Sequence, residues 1–359
     1  MKKMRISLTA FCLAAVMLLT VLAAGCSEES EEAIGYRGES VNCAIFQYLC
    51  SQKKTDYLYE AYGVDSSSVS SSQLQDNPSI WKAVSADGVT VADTLKQEVR
   101  DELMLYLYMS NYAKSQGYSL GAEEKNYIKS EFDNVVSGYG DKKTFNNEMK
   151  KYGVDYEQVL EFNYLQTMAY QGMNLMFGEN GTNRISEEAL RKYYNGNYAT
   201  VSLLFINTKY KTLSNGKVVG LPEEEKTEKI ALAEQAYEKA KAGSDFSALI
   251  EEYSDEKGDA ETLKNGSTFL KGSFVDATAE KKIWEMKTGD IVRVDTENGV
   301  YILYKRPLNE SYFEKAKEAI RTELEDKKKA ELVEAAKKDF KINEEFIKGL
   351  NIQEIPHVV

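Results

Sequence analysis

The hydrophobic pattern of the first half of the chain predicts helices. From residue 91 onward, apolar residues recur at spacings of three and four, which places them on one face of a helix. The members of this stripe are Leu95, Val99, Leu103, Tyr106 and Met109. Further helices are predicted near 42–62, 122–136, 143–151, 155–176 and 187–195, with a short strand near 34–37. Asp155 and Gln158 have the spacing of a capping box, which marks the start of one helix. Residues 34–197 are therefore predicted to form a helical domain.

Residues 198–307 show a different pattern, in which strands and helices are mixed. The apolar, β-prone run at 201–208 is typical of a buried strand. Pro222 is expected to open one helix, and Ser244 is expected to cap a second helix that ends at Tyr253. A short helix at 280–286 and strands at 291–294 and 300–305 follow. The order β-α-α-α-β-β predicts an α+β domain built around a small antiparallel sheet.

After Pro307 the helical pattern returns. One side of the predicted helix carries Phe313, Ala316, Ile320 and Leu324, and the other sides are highly charged. Such a narrow apolar face cannot fold alone. We therefore expect residues 308–359 to return to the helical domain, which makes the α+β block an insertion.

The N-terminus has the layout of a secretory signal. A basic start and an apolar run at 8–22 precede small residues and Cys26. The run at 22–26 resembles a bacterial lipobox, although Ala23 occupies the place of the usual leucine. We expect residues 1–25 to be removed, Cys26 to carry a lipid, and the acidic stretch up to residue 33 to act as a solvated tether. The alternatives are an ordinary signal peptide with a chance cysteine, or an uncleaved anchor helix.

Composition excludes several classes of function. The chain of 359 residues has 45 Lys and Arg against 57 Asp and Glu, a formal net charge of −12. Nucleic-acid binding needs clustered basic residues, so we expect no nucleic-acid partner. The one histidine, His357, lies in the C-terminal tail, which disfavours a Ser-His or Cys-His catalyst and a metal site. We expect no cofactor.

Two cysteines remain beyond the signal, Cys43 and Cys50. They lie seven residues apart on a predicted helix, so their Cα atoms are about 10 Å apart from the rise per residue. That separation is beyond the reach of a disulfide. The favoured interpretation is two small apolar residues on one buried face.

Several segments resemble the parvulin domains of extracytoplasmic foldases. Residues 243–254 match the pattern Gly-x-Asp-Phe-x-x-Leu followed by Tyr-Ser. Residues 286–291 match a Leu-Lys-x-Gly-Glu-Ile turn, and residues 298–303 match the closing strand of that domain. In the helical half, looser similarities lie at 111–117, 145–153 and 188–198. Together they resemble the PrsA-type and SurA-type foldases over nearly the whole chain after the signal.

This resemblance implies a fold and a function. The fold is a helical chaperone domain interrupted by a parvulin peptidyl-prolyl cis-trans isomerase domain. The function is that of a membrane-anchored foldase, which assists secreted proteins on the extracytoplasmic face of the cell membrane. Its partners would be unfolded or newly secreted polypeptides, and its contact with the membrane would be the N-terminal lipid.

The resemblance also locates the site, and shows substitutions in it. Parvulins hold a proline ring in an apolar pocket beside two histidines and a Cys or Asp. Here Leu203 and Tyr301 stand in the places of the two histidines, and Glu256 stands where the family has Cys or Asp. The candidate catalytic residues are therefore Glu256 and Tyr301. Ser202 is adjacent to this site in sequence but is expected on the opposite face of its strand.

The proline pocket is partly retained. Phe269 and Phe274 are the candidate substrate-binding residues, whereas a second aromatic of the family is replaced by Thr278 or Ala279. Trp284 is expected to be a core residue.

We expect weak or absent isomerase activity on a scaffold kept for binding, so whether the chain is an enzyme stays open. Two alternatives remain. One is an active isomerase that uses Glu256 and Tyr301 in altered roles, and the other is a structural lipoprotein that binds one envelope partner.

Overall fold

The structure, a computed structural model, describes residues 31–358. The predicted signal and Cys26, the residue predicted to carry a lipid, lie outside these residues. No helix within 31–358 is both long enough and apolar enough to cross a membrane. The chain divides into two compact units. Residues 185–326 form the inserted unit, and the described residues before and after it form the helical unit.

The helical unit begins with a β-hairpin and continues as helices. The hairpin strands are β1 (Glu32–Tyr36) and β2 (Glu39–Asn42). The helices are α1 (Cys43–Tyr62), α2 (Pro78–Lys82), α3 (Val91–Ser115), α4 (Ala122–Ser137), α5 (Lys142–Met149) and α6 (Tyr156–Phe177). All the helices predicted for residues 42–176 are confirmed to within a few residues, and only the short α2 was not predicted.

Local hydrogen bonds explain where these helices start. The side chain of Asn42 accepts a hydrogen bond from Ile45 N at 2.9 Å and caps α1. The predicted capping box of α6 is present, since Gln158 N donates to Asp155 Oδ1 at 2.9 Å and Asp155 N donates to Gln158 Oε1 at 3.0 Å.

Cys50 of α1 is buried, and both it and Cys43 are free thiols.

The inserted unit is an α+β fold, as predicted. Its elements are α7 (Glu187–Asn197), β3 (Tyr198–Asn207), β4 (Tyr210–Thr212), β5 (Val218–Gly220), α8 (Glu223–Lys241), α9 (Phe246–Tyr253), α10 (Ala260–Asn265), β6 (Ser267–Leu270), α11 (Ala277–Glu285), β7 (Ile291–Asp295), β8 (Gly299–Lys305) and α12 (Glu310–Ala335), which extends beyond Asp326. Strands β6, β3, β8 and β7 form an antiparallel sheet in that order. The short pair β4–β5, helix α10 and strand β6 were not predicted.

One predicted cap was wrong. Helix α9 is capped by Asp245 rather than Ser244, because Asp245 Oδ1 accepts hydrogen bonds from Ser247 N at 2.8 Å and Ala248 N at 3.3 Å. A carboxylate that accepts two backbone N–H groups satisfies more of the open helix end than a hydroxyl does.

The boundaries of the inserted unit differ from those expected at 197/198 and 307/308. Helix α7 and the first part of α12 belong to this unit because they share an apolar cluster. Its buried members are Leu190, Tyr194, Phe313, Ala316 and Ile320. The rings of Tyr194 and Phe313 lie 5.2 Å apart, and the Tyr194 hydroxyl donates to Asn309 O at 2.7 Å. The chain therefore changes unit at 184/185 and 326/327.

The end of the chain returns to the helical unit. Strand β9 (Phe340–Ile342) pairs antiparallel with β1, and helix α13 (Glu344–Gly349) follows. The fully buried Lys54 fixes the last segment, because its Nζ donates to Ile352 O at 2.7 Å and to Ile355 O at 2.6 Å. The same ammonium forms an ion pair with Asp76.

Candidate functional site

The sheet of the inserted unit has two faces with different surroundings. Side chains alternate along each strand, so odd and even positions of β3 lie on opposite faces. Leu204 and Ile206 pack with Val300 and Ile302 against α8 and α9. The odd-numbered positions of β3 and β8 pack with α11, and the candidate residues lie on that face.

Aromatic rings form a continuous row on this second face. The ring centroids of Phe205 and Tyr301 are 4.6 Å apart, those of Tyr301 and Phe274 are 5.8 Å apart, and those of Phe274 and Phe269 are 5.0 Å apart. Phe269 and Phe274 are only partly buried, so the row offers apolar surface to a ligand. The structure thus brings Phe269, Phe274 and Tyr301 together. Phe205 was missed, although its spacing of two from Leu203 put it on the same face.

Leu203 and Tyr301 lie on neighbouring strands of the same face. In the register of β3 and β8, Leu203 is opposite Leu303 and Phe205 is opposite Tyr301. The two positions are therefore diagonal neighbours, a relation that long side chains can bridge. Leu203 is partly buried and contributes only apolar surface. Of these two residues, only Tyr301 therefore has a side chain that can form a hydrogen bond.

The Tyr301 hydroxyl is a polar group on this face, beside the aromatic row. Within residues 31–358 it makes no hydrogen bond to another part of the protein. Burial raises its pKa, and the nearby carboxylates of Asp276 and Glu256 raise it further. A raised pKa keeps the phenol protonated at neutral pH, so Tyr301 can donate a hydrogen bond to a bound group.

The segment that carries Glu256 is fixed to β3. Phe205 N donates to Ser254 Oγ at 3.0 Å, and Asp255 N donates to Phe205 O at 2.8 Å. Ser254 Oγ also donates to Glu256 O. The Glu256 side chain is exposed, yet it lies close enough to Tyr301 to act on its pKa. Glu256 therefore acts on Tyr301 electrostatically, and no direct hydrogen bond joins the two candidate catalytic residues within residues 31–358.

The remaining positions extend the site little. Ala279 is fully buried on α11, whereas Thr278 is exposed. Asp276 accepts hydrogen bonds from the backbone N–H groups of both residues and caps α11. Ser202 lies on the other face, as expected, where Arg306 Nε donates to its hydroxyl at 2.9 Å.

Trp284 lies at the edge of the same cluster. It packs against the core but is only partly buried, so it is not the plain core residue that was expected. Lys271 Nζ and Lys305 Nζ lie 5.4 and 5.3 Å from its ring centroid. Among the residues that the structure describes, no group of three or more His, Cys, Asp and Glu side chains is arranged to hold a metal ion.

Comparison with known proteins identifies similar chains. Residues 214–306 match the family model of the PPIC-type PPIase domain (Rotamase). The foldase protein PrsA of Caldanaerobacter subterraneus subsp. tengcongensis is 22% identical over 354 residues, which cover 95% of this chain and 94% of that protein.

Similar solved structures are also PrsA proteins. The peptidylprolyl isomerase PrsA from Bacillus cereus is 21% identical, with a TM-score of 0.33 over 74% of this chain and 95% of that chain. PrsA from Bacillus subtilis is 18% identical, with a TM-score of 0.24 over 76% of this chain and 94% of that chain. The resemblance inferred from sequence is confirmed by the family match and the full-length relative. Residues 214–306 of this chain thus match a PPIC-type PPIase domain, in a chain that is similar to a PrsA-type foldase over nearly its full length.

Proposed function

We propose that this chain is a lipid-anchored foldase of the extracytoplasmic membrane surface. The lipid is attached at Cys26, and the clients are unfolded or newly secreted polypeptides. The inserted unit binds prolyl segments on its aromatic row and has weak or no isomerase activity. The similarity to a full-length PrsA foldase and to the PPIC-type PPIase domain supports the general function.

The proposal of low isomerase activity rests on one observation: the apolar residue Leu203 lies on the same sheet face as the aromatic row. The barrier to rotation of a peptide bond is ~18–20 kcal/mol. An enzyme lowers it only through interactions that are stronger with the twisted amide than with the planar one. Leu203 can neither donate nor accept a hydrogen bond. Each hydrogen bond lost to the transition state costs about 1–3 kcal/mol, and each ~1.4 kcal/mol is a tenfold loss in rate.

A second candidate function is an isomerase with a rebuilt site. Tyr301 favours it, because its protonated hydroxyl has no partner within residues 31–358 and lies at the aromatic row. In this alternative Tyr301 donates a hydrogen bond to the twisting amide, and the carboxylate of Glu256 contributes to the polarity of the site.

The deciding experiment compares the chain with its Tyr301→Phe and Glu256→Ala variants. Catalysed exchange of an X–Pro tetrapeptide is followed by NMR, and suppression of aggregation is measured with a denatured client. We expect little or no catalysed exchange and equal suppression by all three proteins. Exchange at a typical parvulin rate that either variant abolishes would instead establish the rebuilt enzyme.

The chaperone function is tested by the same preparation. Failure to suppress the aggregation of any denatured client would contradict it. A pull-down that yields one stoichiometric partner and no range of clients would favour the structural lipoprotein instead.

A further inference from the structure

Strand β2 of the helical unit has an unpaired edge. The three-stranded sheet has the order β2-β1-β9. Within the described part of the chain, β2 pairs with β1 on one side and with no strand on the other. The free edge of a strand presents backbone N–H and C=O groups that can pair with another extended chain.

A groove lies beside β2. It has a volume of about 600 Å³, and all four residues of β2 line it. Its apolar wall comes from the start of α1, the α3–α4 connection and α6. The members of this wall are Ile45, Leu120, Phe162, Leu165 and Met168. An added strand would direct alternate side chains toward this wall, because side chains alternate along an extended chain.

A carboxylate oxygen in the groove lacks a partner. Glu39, the first residue of β2, accepts hydrogen bonds through Oε1 from Ser110 Oγ at 3.0 Å and from Lys114 Nζ. Its second oxygen, Oε2, is buried and accepts no hydrogen bond from any residue within 31–358. Buried carboxylate oxygens are normally satisfied, and a donor brought by a ligand would satisfy this one.

The charges of the groove favour a basic ligand. Its lining contains three glutamates and two lysines. Lys114 is engaged by Glu39, and Lys125 Nζ lies 5.5 Å from the ring centroid of Tyr164. Glu161 is exposed and makes no ion pair within residues 31–358. Glu157 is paired with Lys142, so Glu161 is the glutamate of the lining that is left to attract a cation.

We propose that this groove binds an extended segment of a client, which adds as a strand to the free edge of β2. Apolar side chains of the segment enter the groove, and a Lys or Arg side chain donates to Glu39 near Glu161. Main-chain hydrogen bonds give such a site tolerance to sequence, while the groove selects alternate side chains. The identity of this occupant rests on the proposed function, in which the clients are unfolded polypeptides.

The test uses fluorescence anisotropy of the whole chain with a labelled peptide. The peptide alternates Val with Thr and carries a central Lys, and a second peptide has norleucine in place of that Lys. We expect Glu39→Gln to weaken binding of the Lys peptide about tenfold, because a charge-assisted hydrogen bond is lost. Binding of the norleucine peptide should change much less. Glu131→Gln, at an exposed position of α4 outside the groove, is the matched control.

A second variant fills the groove from its rim. Ser119 is exposed and lines the groove, whereas Gln116 is exposed and does not. Ser119→Trp should weaken the binding of both peptides at least tenfold. The Gln116→Trp variant should bind both peptides as tightly as the unsubstituted chain does. Bound peptide should also slow hydrogen exchange of the β2 amides.

The outcomes separate this inference from the proposed function. Unchanged peptide binding by Ser119→Trp and Glu39→Gln would overturn the proposal that the groove binds peptide, even if aggregation of clients is still suppressed. A change in sedimentation caused by Ser119→Trp would assign the edge to a second copy of this chain and would also overturn it. If the unsubstituted chain neither binds the peptides nor suppresses aggregation, the proposed function itself is contradicted.

Discussion

Placing histidines at positions 203 and 301 tests whether a missing hydrogen-bond cluster limits the inserted unit. The variants Leu203→His and Tyr301→His are made singly and together. Both positions lie on the face of the aromatic row, on neighbouring strands and in diagonal register. Diagonal Cβ atoms of antiparallel strands are about 7–8 Å apart or slightly less. Two imidazole rings at these positions can therefore act on the same bound amide.

The size of the effect follows from the contacts that are gained and lost. Each hydrogen bond to the twisted amide is worth ~1–3 kcal/mol, which is about 5- to 150-fold in rate. Tyr301→His gives up ring contacts with Phe205 and Phe274 at centroid distances of 4.6 and 5.8 Å. Such pairs contribute ~0.5–1.5 kcal/mol each to stability. We expect kcat/KM of the double variant to rise at least tenfold, in a unit that is less stable by about 1–3 kcal/mol.

The assay is NMR exchange of an X–Pro tetrapeptide at a temperature well below the unfolding transition, with folding checked by circular dichroism. Tyr304→His is the matched control, because Tyr304 lies on the same strand and faces the other side of the sheet. It should give no increase. A folded double variant with unchanged turnover would refute the reasoning, since the aromatic row rather than the polar cluster would then limit catalysis.

Three further predictions concern stability and anchoring. Lys54→Met should lower the free energy of unfolding by about 3–5 kcal/mol, because Asp76 and two C-terminal carbonyl oxygens lose their buried cation. Lys53→Met, which removes an exposed ion pair, should cost less than about 1 kcal/mol in the same urea titration. Burial lowers the pKa of His357 below 6.5, so the unfolded chain binds more protons in that range and stability should fall as the pH drops below about 6.5. His357→Gln should flatten that dependence in urea unfolding between about pH 5 and 8. Cys26→Ala should move the protein from the membrane fraction to the soluble fraction of cells, and retention in the membrane would contradict lipid attachment at this residue.

Sequence patterns predicted those elements whose start or face is decided locally. Helix α6 was predictable because Asp155 and Gln158 cap it by themselves, and α3 because its apolar stripe has helical spacing. Strand β6 was not, since its four residues are all half-buried and show no alternation. Its position depends on pairing with β3, where Gly266 approaches so closely that a Cβ atom would lie 2.8 Å from Val201 O.

The unit boundaries also depend on contacts that no local pattern shows. Tyr194 and Phe313 are far apart in sequence, yet their rings are in contact and the Tyr194 hydroxyl donates a hydrogen bond to Asn309 O. Strand β9 is likewise defined by its pairing with β1. The amphipathic character of α12 predicted that it packs on the helical domain, and its buried residues Phe313, Ala316 and Ile320 pack with Leu190 and Tyr194 of α7, which clusters with the inserted unit.

The site was accessible from sequence only through family resemblance together with strand alternation. Alternation correctly separated Leu203 from Ser202 and also implied that Phe205 shares the face of Leu203. It could not show that Glu256 is exposed while Ser254 ties its segment to β3. The groove at β2 was missed because it is lined by residues from several separate segments of the helical unit.

The structure also gives a physical reason why binding and catalysis can be lost separately in this unit. Tyr301 and Phe205 are both core residues and members of the aromatic row. Removal of a buried aromatic side chain costs about 3–5 kcal/mol, so the stability of the fold preserves this apolar surface. A polar side chain at position 203 has no such protection, because Leu203 leaves no polar group in these partly buried surroundings and so favours stability. An aromatic row beside Leu203 is therefore a stable arrangement of this sheet face, and under the proposed function it would hold prolyl segments rather than turn them over.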